Sequence, residues 1–395
     1  MILAQTGWGK SDYVESGIQD GSIAGAILSP KDDEPSALST YASSLQTTLN
    51  GKGLVLFDPQ FYVTTLANAK DGKLPLYPYY AQSLSRASFG PANVDTYAKS
   101  VLSFQDGLAV DRWISPTVLF YGFRDPWSQA ALTLAQASID IHKTFKMKKP
   151  LLISLVLDES ALRDRHSLDE YLDTISTFDS RGFYIIVRRN DPNYPAAYEE
   201  ETIVNLMYLT YVLGDRNSFE VIHGYTDLPG ILLLPIGAEA IGTGWYSNLR
   251  QFSMRRFLPG GGGRQPKTRY TSKALLNSLF INPELEQIRA SGGLPIILAD
   301  TGYDSVMTPR PLSAPWPLKT STLHHWKVLS ALLGSVTAGK TISQRLDTVE
   351  KVIGSAIATY SALATSGVTF EPMTGPRDVM LWQRSLKRFR SEIGK

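Results

Sequence analysis

A chain of 395 residues, 43% hydrophobic and 10% aromatic, has material for a large core and for one big domain with an appendage, or for two domains. Its formal net charge of +2 leaves any attraction to a polyanion to local clustering, and the absence of cysteine excludes disulfides, thiolate zinc sites, iron–sulfur clusters and cysteine nucleophiles. Residues 1–17 lack the basic and continuous apolar regions of a signal peptide, and no apolar run nears the roughly 18 residues of a membrane span, so a soluble cytoplasmic protein with no membrane association is expected.

Short apolar runs ending in a polar residue or glycine recur along the chain, each ahead of a helical stretch. Such unalternating runs suit strands buried on both faces. In order they are GAILSP (25–30), GLVLFDPQ (53–60), TVLFYGFRD (117–125), PLLISLVLDE (150–159), GFYIIVRR (182–189), SFEVIHGY (218–225), AEAIGTG (238–244) and, weakest in pattern, LLNSLFI (275–281). A Tyr- and Pro-rich excursion (71–94) interrupts the second unit, whereas WSQAALTLAQASIDIHKTF, behind the third, has a clear helical period. Eight such units predict an α/β fold, a (β/α)8 TIM-type barrel over residues 1–294, in preference to an open doubly wound sheet. Residues 295–322 read as a Pro-rich linker. Residues 323–395 carry three helical patterns that would pack on the barrel or on a protein partner.

Barrel active sites lie at the C-terminal ends of the strands. Read in order, those ends present Ser29; Asp58 and Gln60; Tyr121, Arg124 and Asp125; Asp158 and Glu159; Arg188 and Arg189; His223 and Tyr225; Thr243 and Trp245. Asp58, directly after a buried run and followed by Pro59, is a candidate for acid–base work, and capping of the next helix is its plain structural alternative. Asp158 offers a second carboxylate that could flank a reacting bond with Asp58. His223 is the one histidine at a predicted strand end, a candidate base or phosphate ligand, or else a histidine satisfied by backbone. No histidine spacing suits a metal site, and the main reading calls for no cofactor.

Residues 240–281 are the most informative stretch. They hold seven basic residues (Arg250, Arg255, Arg256, Arg264, Lys267, Arg269 and Lys273) and no acid. Phosphate commonly binds at the loops behind the seventh and eighth strands of such barrels. Gly242, Thr243 and Gly244 permit close backbone approach there, with Arg250 next in line. Phe252, Phe257 and Tyr270 interleave with the cations as if to stack on bases, and glycines 260–263 suggest a mobile loop. A basic surface loop facing an acidic protein is the alternative. The final pattern, 377–395, adds Arg377, Arg384, Lys387, Arg388, Arg390 and Lys395, with Met380, Leu381, Leu386 and Phe389 set to form an apolar stripe.

GSVTAGKT (334–341) matches the phosphate-cradling pattern G-x-x-x-x-G-K-[ST]. A P-loop follows a buried strand and opens a helix in a parallel sheet. LHHWKVLSALL, before it, has helical spacing, and no strand ending in Asp follows, so the stretch reads as a helix–helix turn.

IGAEAIGTG resembles the GA-(D/E)-A-(V/I)-x-x-G ending shared by many such barrels, FMN-dependent oxidoreductases among them. In layout, the basic segment behind GTG resembles tRNA-guanine transglycosylase-like barrels, which exchange a base in nucleic acid; the likeness spans about residues 20–290. Cysteines for that family's zinc are absent, and IGTGWYSNLR has no counterpart of its nucleophilic Asp. The expectation is a barrel binding a phosphate-bearing ligand, a nucleotide, DNA or RNA, at its C-terminal face. Asp58, Asp158 and His223 would do chemistry, and Gln60, Arg124, Arg188, Gly242, Thr243, Gly244, Arg250, Arg255 and Arg256 would bind. A catalytically silent nucleic-acid- or partner-binding subunit and an FMN-dependent oxidoreductase remain as alternatives.

Overall fold

The computed structural model describes residues 1–9, 12–146, 149–191, 193–259, 267–309 and 315–395. Its main sheet is wholly parallel: β1 (Ile2–Gln5), β2 (Gly25–Leu28), β3 (Leu54–Phe57), β4 (Trp113–Ile114), β5 (Leu119–Phe120), β6 (Leu151–Asp158), β7 (Gly182–Arg188), β8 (Glu220–Gly224) and β9 (Ala238–Thr243). The order is β3-β2-β1-β9-β8-β7-β6-β4, with β5 also paired to β6. Pro116 has no N–H for the ladder and interrupts the fourth stave, making β4 and β5 its two halves. The Ser115 hydroxyl oxygen bridges the gap by accepting from Ser154 N–H (2.9 Å). Eight staves result, and the barrel nearly closes between β3 and β4. There Asp111 N–H donates to Val55 C=O (2.9 Å), and Val55 N–H donates to the Asp111 carboxylate (2.6 Å).

The TIM-type expectation holds, but its strand count is displaced. The first stave is Ile2–Gln5, four residues too short to show a pattern, and it lies between β2 and β9. The run predicted as seventh, 238–244, is therefore the eighth. The run predicted as eighth, 275–281, leaves the barrel. It contributes β11 (Asn277–Phe280), which pairs antiparallel with β10 (Arg269–Ser272). Buried on both faces, the strands carry the core: every residue of β6 is buried, and Phe183, Ile185, Val221 and Ile222 are fully so.

Helices α1 (Tyr13–Gln19), α2 (Pro35–Leu49), α3 (Pro91–Asp106), α4 (Pro126–Thr144), α5 (Arg165–Ile175) and α6 (Glu200–Tyr211) alternate with the staves. Local sequence starts them. In α4, Asp125 caps the N–H groups of Trp127 and Ser128 (both 2.7 Å), Pro126 takes the first turn, and Leu134, Ser138 and Ile139 turn inward. Short helical turns at Gly230–Leu233 and Leu234–Ile236 replace a helix behind β8.

Three C-terminal helices complete the molecule: α7 (Leu318–Thr337), α8 (Ile342–Thr365) and α9 (Arg377–Ile393). Buried on much of its circumference, α7 packs on β10, α1 and the 230–236 turns, which carries His324 and His325 into the interior. Against α6 lies α9, through buried Val379, Trp382, Leu386 and Phe389. Its arginines meet α6 acids, Arg388 with Glu201 (2.6 Å) and Arg384 with Glu200 (3.2 Å). Such exposed pairs contribute about 0–1 kcal/mol each, so the apolar contact holds the helix. Met380 does not join the expected stripe and is 45% exposed.

GSVTAGKT ends α7 and starts α8. Gly334 lies within α7, and Thr341 N-caps α8 in a capping box with Gln344. The N–H groups of Lys340 and Thr341, which a P-loop would turn to phosphate, donate to Gln344 Oε1 (3.0 and 3.3 Å). No helix among the described residues is long and apolar enough to cross a membrane.

Candidate active site at the barrel mouth

Asp58 follows β3 directly, is 1% exposed, and accepts from Gln60 N–H (3.0 Å) and the Tyr62 hydroxyl (2.9 Å). Burial pushes its pKa up to about 6, against the pull of those two bonds and of the Arg256 guanidinium. Tyr184 of β7 faces it and Gln5 of β1 lies beside Tyr184, both fully buried. Neither end of the Gln5 carboxamide, nor the Tyr184 hydroxyl, has a hydrogen-bond partner among the described residues. Two inward glycines keep this space open. A Cβ at Gly224 would stand 2.6 Å from the Tyr184 oxygen, and one at Gly242 3.0 Å from Gln5 Oε1.

Arg256 roofs the cluster. Its guanidinium donates to the Tyr225 hydroxyl (2.9 Å), to the Ser29 hydroxyl (2.9 Å) and to the Asp32 carboxylate. Gln60 Nε2 donates to the same Ser29 oxygen (3.0 Å), so loops behind β2, β3, β8 and β9 meet over Asp58. Phe252 and Phe257 stand edge-on to Tyr62 at 5.4 and 6.0 Å between ring centroids and complete an apolar surround.

A second carboxylate, Asp227, lies behind β8. The chain reaches it with Tyr225 and Asp227 both in the left-handed region (φ 53° and 56°). Asp227 is 3% exposed and accepts from Thr243 Oγ1 (3.0 Å), the Tyr194 hydroxyl and His325 Nε2 (2.6 Å). His325 Nδ1 lies 2.9 Å from Thr271 Oγ1. Burial alone would raise the pKa of Asp227; His325, Arg250 and the Tyr194 hydroxyl outweigh it and hold the carboxyl at about 2. Burial, then Arg250, lowers the pKa of His325. This bonding assigns a neutral ring, Nε2–H donating to ionised Asp227 and Nδ1 accepting from the Thr271 hydroxyl. A cleft of about 40 Å³ opens beside it, lined by Arg189, Tyr194, Tyr225, Asp227, Arg250 and Asn277 among others. Tyr225 belongs to both clusters.

The residues singled out in the sequence scatter around this mouth. Asp58, Gln60, Gly242 and Arg256 meet in the inner cluster; Thr243 and Arg250 meet at Asp227. Arg250 is buried and donates Nε–H to Gly244 C=O (2.8 Å). Arg255 is exposed. Asp158 is held by Ser160 N–H (2.9 Å), the Ser160 hydroxyl (2.6 Å), the Asn190 amide (3.1 Å) and Arg188 (3.3 Å), and shares no partner with Asp58. Arg124 is more than half exposed and paired with Glu170 (2.6 Å). His223 points away from the mouth, because strand alternation puts its neighbour Ile222 beside inward-facing Tyr184. It meets Thr210 of α6 at 3.0 Å, and burial lowers its pKa to about 3. Phe252, Phe257 and Tyr270, expected to stack on bases, are buried instead. Arg264 and glycines 260–263 lie outside the described residues.

Sequence reading missed Gln5, Tyr62, Tyr184, Tyr194, Asp227 and His325. Asp227 had a signal, an acid four residues past a predicted strand-end histidine in HGYTDLPG. His325 had none, because only tertiary packing brings α7 to the barrel. Among the described residues no group of three His, Asp or Glu side chains is placed to hold a metal ion. No protein-family model and no curated protein matches this chain.

Proposed function

We propose that the chain binds a phosphate-bearing ligand of the nucleotide kind at the C-terminal mouth of the barrel and carries out proton transfer there through Asp58. One observation carries the reading: a carboxyl whose pKa is pushed to about 6 faces a buried phenol that lies beside a buried carboxamide, and neither of the two has a partner within hydrogen-bond distance among the described residues. Buried polar atoms are paired in more than about nine cases in ten, so these orphans point to a ligand or water between them. Gln5 presents a donor and an acceptor side by side, the complement of an amide or nucleobase edge. An acid tuned near neutrality can take or give a proton at that edge. Asp227, ionised and hydrogen-bonded, would stay charged while Asp58 cycles, which is the division of labour that opposed pKa shifts produce in a site. Asp158, engaged by Arg188 and Asn190, serves the rim in this proposal. The layout resemblance to base-exchanging barrels is compatible with such chemistry.

The test is a thermal-melt panel of nucleobases, nucleosides and nucleotides on the wild type, Asp58→Asn and Gln5→Met. At least one compound should stabilise the wild type and lose that effect in both variants. If no compound acts on the wild type, or if all act equally on the three proteins, the reading fails.

A second reading rests on Trp8, which is 75% exposed and stacks on Tyr246 at 6.5 Å with an 18° interplanar angle. With exposed Arg255 it suits a nucleic-acid surface. A salt-dependent shift assay with Trp8→Ala and Arg255→Ala tests it; unchanged DNA and RNA binding in both variants removes it.

A further inference from the structure

We propose that residues 253–258 form a lid over the Asp58 chamber, latched by the pairing of Arg256 with Asp32. The inference rests on the reading above in taking that chamber as the ligand's destination.

The chamber is closed. Gln5 and Tyr184 are wholly shielded from solvent and Asp58 is 1% exposed, so a nucleobase edge reaches them only if part of the wall moves. The staves beneath resist such movement. β1 is paired to both β2 and β9, and β7 to both β6 and β8, and core strands of this kind open only near the cost of global unfolding.

The roof is held differently. Among the described residues, one backbone hydrogen bond ties residues 253–258 to the rest of the barrel, from Lys70 N–H to Phe257 C=O (2.6 Å). The other polar ties come from a single side chain, the Arg256 guanidinium, which donates to the Tyr225 and Ser29 hydroxyls and to the Asp32 carboxylate. Met254 and Phe257 are the apolar underside, 5% and 0% exposed, while Arg255 and Leu258 face outward. Ahead of the segment the chain is anchored. Arg189 N–H donates to Phe252 C=O (2.9 Å), and the Gln251 carboxamide bonds Asp191 C=O, Asn193 C=O and Ala196 N–H. Residues 253–258 can therefore swing from Phe252 without unpicking a stave.

The latch is a buried pair, its side chains 6% and 13% exposed. Removing one partner of such a pair strands the other charge in the closed state, whereas an open lid lets water solvate it. The latch therefore sets how often the chamber opens. Closure also serves the chemistry, because burial is the main cause that raises the pKa of Asp58, and burial lasts only while the lid is shut.

The natural chain has no cysteine, so a single introduced thiol reports on its own surroundings. Gln5→Cys puts one in the chamber, and Ser138→Cys, at a fully buried position of α4, reports opening elsewhere. The probe is iodoacetamide, with alkylation followed by mass spectrometry and folding checked by thermal melts. Asp32→Asn should speed alkylation of the Gln5→Cys thiol at least about tenfold and leave that of the Ser138→Cys thiol within about twofold. Arg255→Ala, on the outer face of the same segment, should change neither. Equal acceleration at both thiols would mean general loosening and overturns the proposal, as does no acceleration in the chamber. If Asp32→Asn does not fold, Arg256→Lys, which keeps the charge but loses the planar fork, decides between the same outcomes. No ligand is present in these measurements. A selective response here beside a silent compound panel would place the failure in the Asp58 reading, and an active panel beside equal thiol rates would place it in the lid.

Discussion

Asp58 and Asp227 are buried to nearly the same degree at the same end of one barrel, yet their protons behave oppositely. Asp58 is surrounded by phenols and aromatic rings, and its cationic neighbour among the described residues, Arg256, is already taken by Asp32. Asp227 has a histidine, a threonine, a tyrosine and the nearby guanidinium of Arg250. Burial raises both; only at Asp227 do partners outweigh it. Depth in the protein therefore does not set the charge state; the supply of unspent donors does.

The largest effect that can break this comparison is expected from Asp227→Asn. It removes the charge that three donors converge on and should cost roughly 3–5 kcal/mol in urea unfolding at pH 7. A loss below about 1 kcal/mol would mean that Asp227 is not the paired ion described here.

Next comes Asp58→Asn, with the opposite sign. A folded pKa of about 6 above the ordinary 3.8 means that the native state holds this proton more tightly than the unfolded chain. The group's contribution is greatest below about pH 4 and declines as pH rises through 6, by up to roughly 3 kcal/mol. The variant loses one hydrogen bond but escapes ionisation, and should be more stable at pH 7 by about 1–2 kcal/mol. Urea curves at pH 4.5 and 7 check this; a variant equally destabilised at both pH values would show that Asp58 is a structural acceptor only.

His223 sharpens the picture as a buried titratable group outside the mouth. Its folded pKa of about 3 lies below the ordinary 6.5, so its contribution is present above pH 6.5 and is lost as pH falls toward 3. His223→Gln should therefore flatten acid unfolding in that window while leaving the response to added ligand unchanged. The smallest effect belongs to Arg124→Ala, which should leave the urea midpoint essentially unchanged, because its pair with Glu170 is exposed to solvent.

Much of the barrel was legible because parallel strands buried on both faces leave long apolar runs, as in LLISLVLD and GFYIIVR. The first strand was not, because four residues carry no periodicity and its identity comes from pairing with β2 and β9. Asp58 was visible from its place after such a run. Its meaning was hidden, since its pKa depends on burial and on Tyr184 and Arg256, which reach it from β7 and from the segment behind β9. The basic segment 240–281 was visible as charge, but which cations are spent was not. Arg256 turns inward to Asp32, some 220 positions away in sequence, whereas Arg269 turns to the carbonyls of Ser278 and Tyr194.

The most direct test of the central claim is a pH titration of carboxyl carbons by NMR in ¹³C-aspartate-labelled protein, assigned by the signals missing in Asp58→Asn and Asp227→Asn. The account predicts that Asp58 titrates near pH 6 while Asp227 stays ionised throughout the range from pH 7 to 4. An Asp58 already ionised at pH 4.5, or an Asp227 that takes up a proton above pH 4, would contradict it.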